Sequence, residues 1–279
     1  MAICIAFQGE RGAYGEVAVK QFVKDALPIP SSSFEAVFEA VQKNEVALGA
    51  VPVENSYAGS INETYDLLAV SDLKVIGETN VWVKHCLMAL PGQSLKDIKT
   101  VYSHPQALAQ CASFLKSLGV ECIAVYDTAG SAKMILEKNL KGSAAVASET
   151  AAVLYGLEIL KKEIQSSTMN FTKFYLISRQ DEVLGDDFSQ DNYKTALVLA
   201  APDAPGSLYH CLGALAEKNI NLKKLESRPR RDVPWQYLFY IDCEGHIKQE
   251  PLKSALKELE LRAAWYKVLG SFSEKGPST

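Results

Sequence analysis

Through the first two thirds of the chain one pattern recurs: a short apolar run, a polar turn, then apolar residues at helical spacing. "ICIAF" leads through "QGERGAYGE" into "VAVKQFVKD", and "VALGAVPV" through "ENSYAGS" into "INETYDLLAV". "KTVYS" leads through "HPQ" into "ALAQCASFLKSLG", "VECIAVY" through "DTAGS" into "AKMILEKNL", and "SAAVAS" into "ETAAVLYGL". Strands alternating with helices of this length predict an α/β fold with a mainly parallel sheet. Ligands of such sheets bind beyond the carboxyl ends of the strands, where helix N-termini point. Most of the strand ends here are polar: Gln8, Glu54 with Asn55 and Ser56, Ser103 with His104, and Asp127 with Thr128.

"STMNFTKFYLI" (167–177) alternates like a strand from Asn170 onward. Asn170, Thr172, Phe174 and Leu176 share one face, and Phe171, Lys173, Tyr175 and Ile177 the other. A Thr and an Asn on the face of Phe174 and Leu176 are either partner-bonded core residues or ligand contacts. Residues 179–194, "RQDEVLGDDFSQDNYK", are charged and without period, and predict a loop or linker. Beyond them the strand "TALVLAA", the turn "PDAPGS", the helix "LYHCLGALAEKN", the strands "LKKLESRP" and "WQYLFYIDC", the helix "PLKSALKELE" and the strand "AWYKVLGSF" give the ferredoxin-like order βαββαβ. The tail "SEKGPST" predicts disorder.

Composition narrows the class. At 279 residues, two domains or a split domain with an appendage are expected. A hydrophobic share of 48% with 22% charged residues describes a globular protein. A net charge of −4 leaves no basic footprint for nucleic acid or an anionic membrane surface, although a local site can still be positive. "MAICIAFQGE" has no charged n-region, and its apolar run is one strand long, which argues against a signal peptide. No window is apolar enough to span a membrane. Six scattered cysteines without a CxxC predict reduced core thiols in a cytoplasmic protein.

The candidate chemistry sits in the polar turns. Gly9, Gly12 and Gly15 do not form G-x-G-x-x-G and no G-K-[ST] follows, so a nucleotide loop is excluded, while a glycine-bearing turn into a helix still suits an anion. Glu54 directly follows an apolar strand, where a carboxylate is either paired or used as an acid, and partial burial would raise its pKa. Ser60 is a possible N-cap for the helix after it. In "SHPQALAQC", Ser103 is the expected N-cap, Pro105 suits a helix start, and Gln106 and Gln110 share a helix face. His104 as a base would need an orienting partner. In "YDTAGSAK", Asp127 or Thr128 caps the next helix. His85, His104, His210 and His246 have no metal-ligand spacing, so no metal is expected, and no Ser or Cys sits in a nucleophile elbow.

Taken together, "AFQGERGAYGEVA", "VPVENSYAGSI", "SHPQALAQC", "DTAGSA", "NFTKFYLI", "PGSL" and "ESRP" occur in an order that resembles the prephenate dehydratases with a C-terminal regulatory ACT domain, over nearly the whole chain. The resemblance implies a catalytic region, 1–182, of two α/β lobes like those of periplasmic binding proteins. Lobe 1 would comprise 1–78 and 168–182, lobe 2 would comprise 79–167, and a cleft would lie between them. The ferredoxin-like ACT domain would occupy 195–273. It implies conversion of prephenate to phenylpyruvate, water and CO₂ without cofactor, metal or covalent nucleophile. Such chemistry needs a donor at the leaving hydroxyl, clamps for two carboxylates and exclusion of water.

Thr172 matches the family threonine that contacts substrate and is expected to hydrogen-bond the leaving hydroxyl. Glu54, Asn55, Ser103, Gln110 and Asp127 occupy other family catalytic positions, with Asn170, Lys173, Phe174, Ser56 and Thr128 as substrate contacts. The family usually reads Thr-Arg-Phe where this chain reads Thr172-Lys173-Phe174. Lysine lacks the planar two-pronged reach of arginine, and alternation turns Lys173 away from Thr172, so packing or lobe pairing is favoured over a carboxylate clamp.

The ACT resemblance implies L-phenylalanine as an inhibitory effector and self-association as a dimer or tetramer. Its contacts are expected from Ala204, Pro205, Gly206, Ser207 and Leu208, with Glu226 and Ser227 on the facing strand. Two rival readings remain: an arogenate dehydratase, whose substrate carries an amine in place of the ketone, and a non-catalytic small-molecule binding protein with an amino-acid sensor.

Overall fold

A computed structural model describes residues 2–179, 193–230 and 233–273. Most of the expected linker and all but Ser273 of the expected disordered tail lie outside the described residues. Contacts divide the chain into two compact units: Met1–Thr64 with Asn80–Phe174, and Tyr65–Thr79 with Tyr175–Thr279.

In chain order the elements are β1 (Cys4–Gln8), α1 (Tyr14–Phe22), β2 (Leu27–Ser31), α2 (Phe34–Gln42), β3 (Leu48–Asn55), β4 (Gly59–Ser60), α3 (Asn62–Val70) and β5 (Lys74–Trp82). There follow β6 (Cys86–Ala89), β7 (Thr100–Ser103), α4 (Pro105–Gln110), α5 (Ala112–Leu118), β8 (Glu121–Ala124), α6 (Thr128–Glu137), β9 (Ser143–Ala147), α7 (Glu149–Tyr155) and β10 (Glu158–Lys161). The chain returns through β11 (Phe171–Ser178) and ends with β12 (Tyr193–Ala200), α8 (Ser207–Ala216), β13 (Leu222–Pro229), β14 (Tyr237–Glu244), α9 (Leu252–Arg262) and β15 (Trp265–Ser273).

The first lobe is built on a sheet of order β2-β1-β3-β11-β5, with β4 paired to β3. β1 runs parallel to both β2 and β3. β2 reads "LPIPS" and has no obvious strand pattern. It is tolerated because it is the sheet edge: Leu27 N–H reaches the Ile3 carbonyl, and the prolines fall at the alternate positions 28 and 30, where no donor is needed. The second lobe carries the order β10-β6-β9-β7-β8. β7 is parallel to β8 and β9, as the alternating pattern predicts. β6 alone runs against the other four strands, antiparallel to its neighbours β9 and β10, so this sheet is mainly parallel, as expected. The helix expected over 107–119 is broken into α4 and α5 at Cys111, whose φ of −102° and ψ of 7° leave the helical region. The two crossings between the lobes are tied to each other where Val83 N–H donates to the Asn170 carbonyl at 2.8 Å.

In the second unit, β12-α8-β13-β14-α9-β15 forms the βαββαβ module, with an antiparallel sheet of order β13-β14-β12-β15. One face of the sheet packs on α8 and α9 through Leu197, Leu199, Leu215, Ile241, Leu256 and Leu259. The segment 65–79 carries polar partners for this module. Lys194 is 2% exposed and lies between Glu78 and Asp242, 3.2 Å from Asp242 Oδ2 and in closer contact with Glu78. The Tyr175 hydroxyl reaches both Asp242 oxygens at 3.1 Å. Burial alone would lower the Lys194 pKa, but the two carboxylates outweigh it and hold the ammonium above its ordinary value. Arg228 forks onto Asp66, with Nε–Oδ1 at 3.2 Å and Nη2–Oδ2 at 3.1 Å. Lys267 caps the C-terminal carbonyls of α3 at Leu68 (3.1 Å), Ala69 (3.0 Å) and Ser71.

Candidate active site

A cavity of about 330 Å³ opens between the two lobes of the first unit. Its first-lobe wall includes Gln8, the start of α1 (Ala13, Tyr14, Gly15), and Pro52 and Asn55 of β3. Its second-lobe wall includes His104 and Gln106 at the start of α4, and Tyr126, Asp127 and Thr128 at the start of α6. Thr172 and Phe174 of β11 complete it. A smaller hollow of about 110 Å³ shares Asn55, His104, Thr128 and Thr172 and adds Val83, His85, Ala107 and Gln110.

The polar strand ends thus meet as the sequence pattern predicts, but not all of them face the cavity. Asn55 is the pivot. Its Oδ1 accepts from the Tyr57 and Ala58 amides at 3.1 and 2.9 Å. Its Nδ2 faces Asn170 Oδ1 at 2.8 Å, Thr172 Oγ1 at 3.0 Å and the Phe171 carbonyl at 3.1 Å. Asn170 is 1% exposed and lies behind the wall, where its Nδ2 donates to Gln110 Oε1 at 2.9 Å. Ser56 also lies off the cavity: its hydroxyl donates to the Met169 carbonyl at 2.8 Å and accepts from Phe171 N–H at 2.9 Å, which pins the start of β11.

Ser103 is neither the N-cap nor a wall residue. It is fully buried and its hydroxyl donates to the Val146 carbonyl at 2.6 Å, tying β7 to β9. The cap of α4 is His104, whose Nδ1 accepts from Gln106 N–H at 3.2 Å. The sequence missed this because a histidine is not an ordinary capping residue. Asp127 caps α6 through the Gly130 amide at 2.7 Å. Burial pushes its carboxyl up, with Glu10 adding to the rise and the Gly130 amide opposing it.

Glu54 and Lys173 leave the cavity together. They sit on neighbouring strands with Lys173 Nζ 3.8 Å from Glu54 Oε2, and neither side chain is buried, at 27% and 36% exposed. Glu54 is thus a half-buried carboxylate paired with an ammonium, the first of the two alternatives its position left open.

The loop "QGERGAYGE" serves the two lobes as a latch. Ser148, at the cap of α7, donates to the Gly12 carbonyl at 2.5 Å, and the Tyr155 hydroxyl donates to the Arg11 carbonyl at 2.8 Å. Lys133 and the Tyr126 hydroxyl both reach Glu10, at 3.0 and 3.1 Å. Within the loop Glu16 receives Arg11 Nε at 2.9 Å and Gly12 N–H at 2.7 Å. Burial pulls the Glu16 pKa up, but these two donors outweigh it and hold it below the ordinary value. Gly12 has φ +87°, and a Cβ there would stand 2.8 Å from the Ala151 Cα. Gly12→Ala is expected to cost about 1–3 kcal/mol in strain and to lower kcat/KM at least about tenfold by holding the lobes off register. Thermal unfolding and steady-state kinetics check both effects.

In the second unit a cavity of about 260 Å³ lies beside the turn after β12. Ala204, Gly206, Ser207 and Leu208 line it as expected, and Gly206 adopts φ +81° at the cap of α8. Pro205, Glu226 and Ser227 do not line it. The facing residues are Trp235, Tyr237 and Phe239, which the sequence reading missed. The sheet order is the reason: β14, not β13, pairs with β12, in the register Leu199↔Phe239 and Ala200↔Leu238. Glu226, one strand further out, pairs with Lys224 at 3.2 Å.

Among the described residues, no group of three or more His, Cys, Asp or Glu side chains could hold a metal ion, and no helix is long and apolar enough to cross a membrane.

Comparison with known proteins adds five findings. The family model described as prephenate dehydratase matches residues 5–182, and that described as ACT domain matches 195–261. The chain is 42% identical to arogenate dehydratase/prephenate dehydratase 2 of Arabidopsis thaliana, a chloroplastic protein, over 96% of this chain and 72% of that one. It is 35% identical to a bifunctional N-acyl-homoserine lactone acylase/prephenate dehydratase of Komagataeibacter europaeus, over 96% and 95%. A crystal structure of prephenate dehydratase in complex with L-Phe, from Arthrobacter aurescens, superposes with a TM-score of 0.88 at 30% identity, covering 99% of this chain and 92% of that one.

Proposed function

The chain belongs to the prephenate dehydratase family and carries a C-terminal ACT domain, and from that premise we propose that the inter-lobe cavity is the dehydration site, with Thr172 as the donor to the leaving hydroxyl. The protein is a lyase that converts prephenate to phenylpyruvate and is regulated by phenylalanine. In this reaction the bond from the ring to its carboxylate breaks and CO₂ departs. The electron pair left behind enters the ring and expels the ring hydroxyl, which takes up a proton and leaves as water. Aromatisation drives the step, so the protein has to hold the dianion, stabilise the leaving oxygen and keep water out.

One observation carries the assignment of Thr172. Asn55 has its oxygen committed to two backbone amides, so its Nδ2 is the end that faces Thr172. The Thr172 oxygen therefore accepts, and its own proton has no acceptor among the described residues. Thr172 lines the cavity and is left as a donor to whatever enters it. The first turns of α1 and α6 both line the cavity, and the positive ends of their helix dipoles suit the two carboxylates. Asp127, Thr128, Gln110 and Phe174 are assigned to the wall of this site, Asn170 and Ser103 to its support, and Glu54, Ser56 and Lys173 to its rim.

Arogenate fits the same chemistry, and the Arabidopsis relative bears both names. The test is kcat/KM for the two substrates, read as phenylpyruvate from prephenate and phenylalanine from arogenate. A higher value for prephenate supports the reading, and no turnover of prephenate contradicts it.

The division into a catalytic region over 1–182 and a regulatory module over 195–273 is part of the same proposal, as is assembly of the ACT modules into a dimer or tetramer. The cytoplasm is the proposed location. The cavity beside Gly206 and Trp235 is assigned to L-phenylalanine. About 1 mM phenylalanine, well above a typical effector Kd, is expected to lower the rate of phenylpyruvate formation. An unchanged rate and an unchanged oligomeric state would remove the effector assignment.

A further inference from the structure

Behind Thr172 runs a line of side-chain hydrogen bonds whose direction can be read from one end. Asn55 gives its Nδ2 to Asn170 Oδ1, so Asn170 turns its own Nδ2 to Gln110 Oε1. That oxygen only accepts, so His85 Nε2, 2.9 Å away, carries a proton. His85 is 2% exposed, and burial pushes its pKa down to about 4, which leaves a neutral ring with a bare Nδ1. The Tyr14 hydroxyl stands 3.1 Å from Nδ1 and 2.9 Å from the Lys84 carbonyl, and its single proton serves these two acceptors. Gln110 Oε1 thus receives two donors, and its amino end is left on the wall of the smaller hollow.

We propose that His85 is a positioning residue of the dehydratase reaction: donation from Nε2 fixes the Gln110 amide with its NH₂ toward the cavity, and so fixes Asn170 and Asn55 behind the Thr172 hydroxyl. The consequence is a wall that offers donors from both lobes, Gln110 from α4 and Thr172 from β11, to a substrate rich in oxygen acceptors. The opposite tautomer of His85 would need an N–H from Gln110, which Asn170 does not permit without reversing the whole line. The inference rests on the assignment of this cavity to prephenate.

Two readouts test it. In wild-type protein at neutral pH, ¹⁵N-edited spectra of the His85 ring are expected to show Nδ1 as the bare nitrogen; a bare Nε2 overturns the proposal. In kinetics, His85→Leu is expected to lower kcat about 10- to 100-fold, less than outright removal of a donor to the developing charge, with KM changed by less. His85→Gln, whose amide nitrogen reaches the place of Nε2, is expected to restore most of kcat. Equal loss in both variants overturns the proposal, because it makes His85 a packing residue. So does a wild-type kcat in His85→Leu while Thr172→Val is inactive, and in that case the cavity assignment stands. If Thr172→Val also turns over normally, the cavity assignment itself has failed.

Discussion

Thr172→Val is expected to reduce kcat for prephenate by about 10²–10³-fold, the usual cost of removing one donor aimed at developing charge, with KM changed only a few-fold. Valine keeps the shape and the β-branching that β11 prefers, so the fold is retained. What it removes is the hydroxyl whose oxygen accepts from Asn55 and whose proton faces the cavity. The carboxylates, which dominate ground-state binding, meet other groups, so KM is largely spared. Thr172→Ser keeps the donor and is expected to stay within about tenfold of wild type. Stopped assays of phenylpyruvate with both variants, alongside thermal unfolding, read this directly. A valine variant with wild-type kcat would remove Thr172 from the chemistry.

The second large effect is on stability. Lys194→Met is expected to destabilise the protein by about 3–5 kcal/mol, because it leaves buried carboxylates without their cation. Glu78 and Asp242 are 8% and 4% exposed, and Lys194 lies between them. The Tyr175 hydroxyl compensates only Asp242. Methionine fills a similar volume, so the loss reports charge rather than packing. Adding Glu78→Gln and Asp242→Asn to Lys194→Met is expected to recover much of the loss. In the wild type, the Lys194 pKa is raised above the lysine value of 10.5. Its contribution is therefore full below that value and is lost only as the pH rises through the folded pKa. Denaturant unfolding of the three proteins decides the matter; a single variant as stable as wild type would show that the triad contributes nothing.

The legible parts of the sequence were those set by local periodicity. The alternation of 170–177 placed Asn170, Thr172 and Phe174 on one face, and the βαββαβ order of the second unit follows from apolar spacing. Helix starts at Asp127 and Pro105 were equally visible, because capping and proline preferences act within one turn. What stayed hidden depends on partners far along the chain. His85 looked like an isolated histidine, since its acceptor is 25 residues away and the next amide 60 beyond that. Lys194 read as the end of the charged linker, not as a buried residue of β12, because its partner Glu78 lies 116 positions earlier. Ser103 read as a cap because its buried bond to Val146 leaves no trace in the local pattern. That β14 rather than β13 lines the cavity beside Gly206 was hidden because strand order, which brings Phe239 beside Leu199, is not encoded in periodicity.

The central claim is tested most directly by a crystal structure of the slow Thr172→Val variant with prephenate bound. The account predicts the ligand in the inter-lobe cavity, its ring hydroxyl against residue 172 and within about 2.7–3.2 Å of the Gln110 amino group, and its carboxylates at the first turns of α1 and α6. Prephenate bound elsewhere, or bound there with the ring hydroxyl turned away from residue 172, would contradict it.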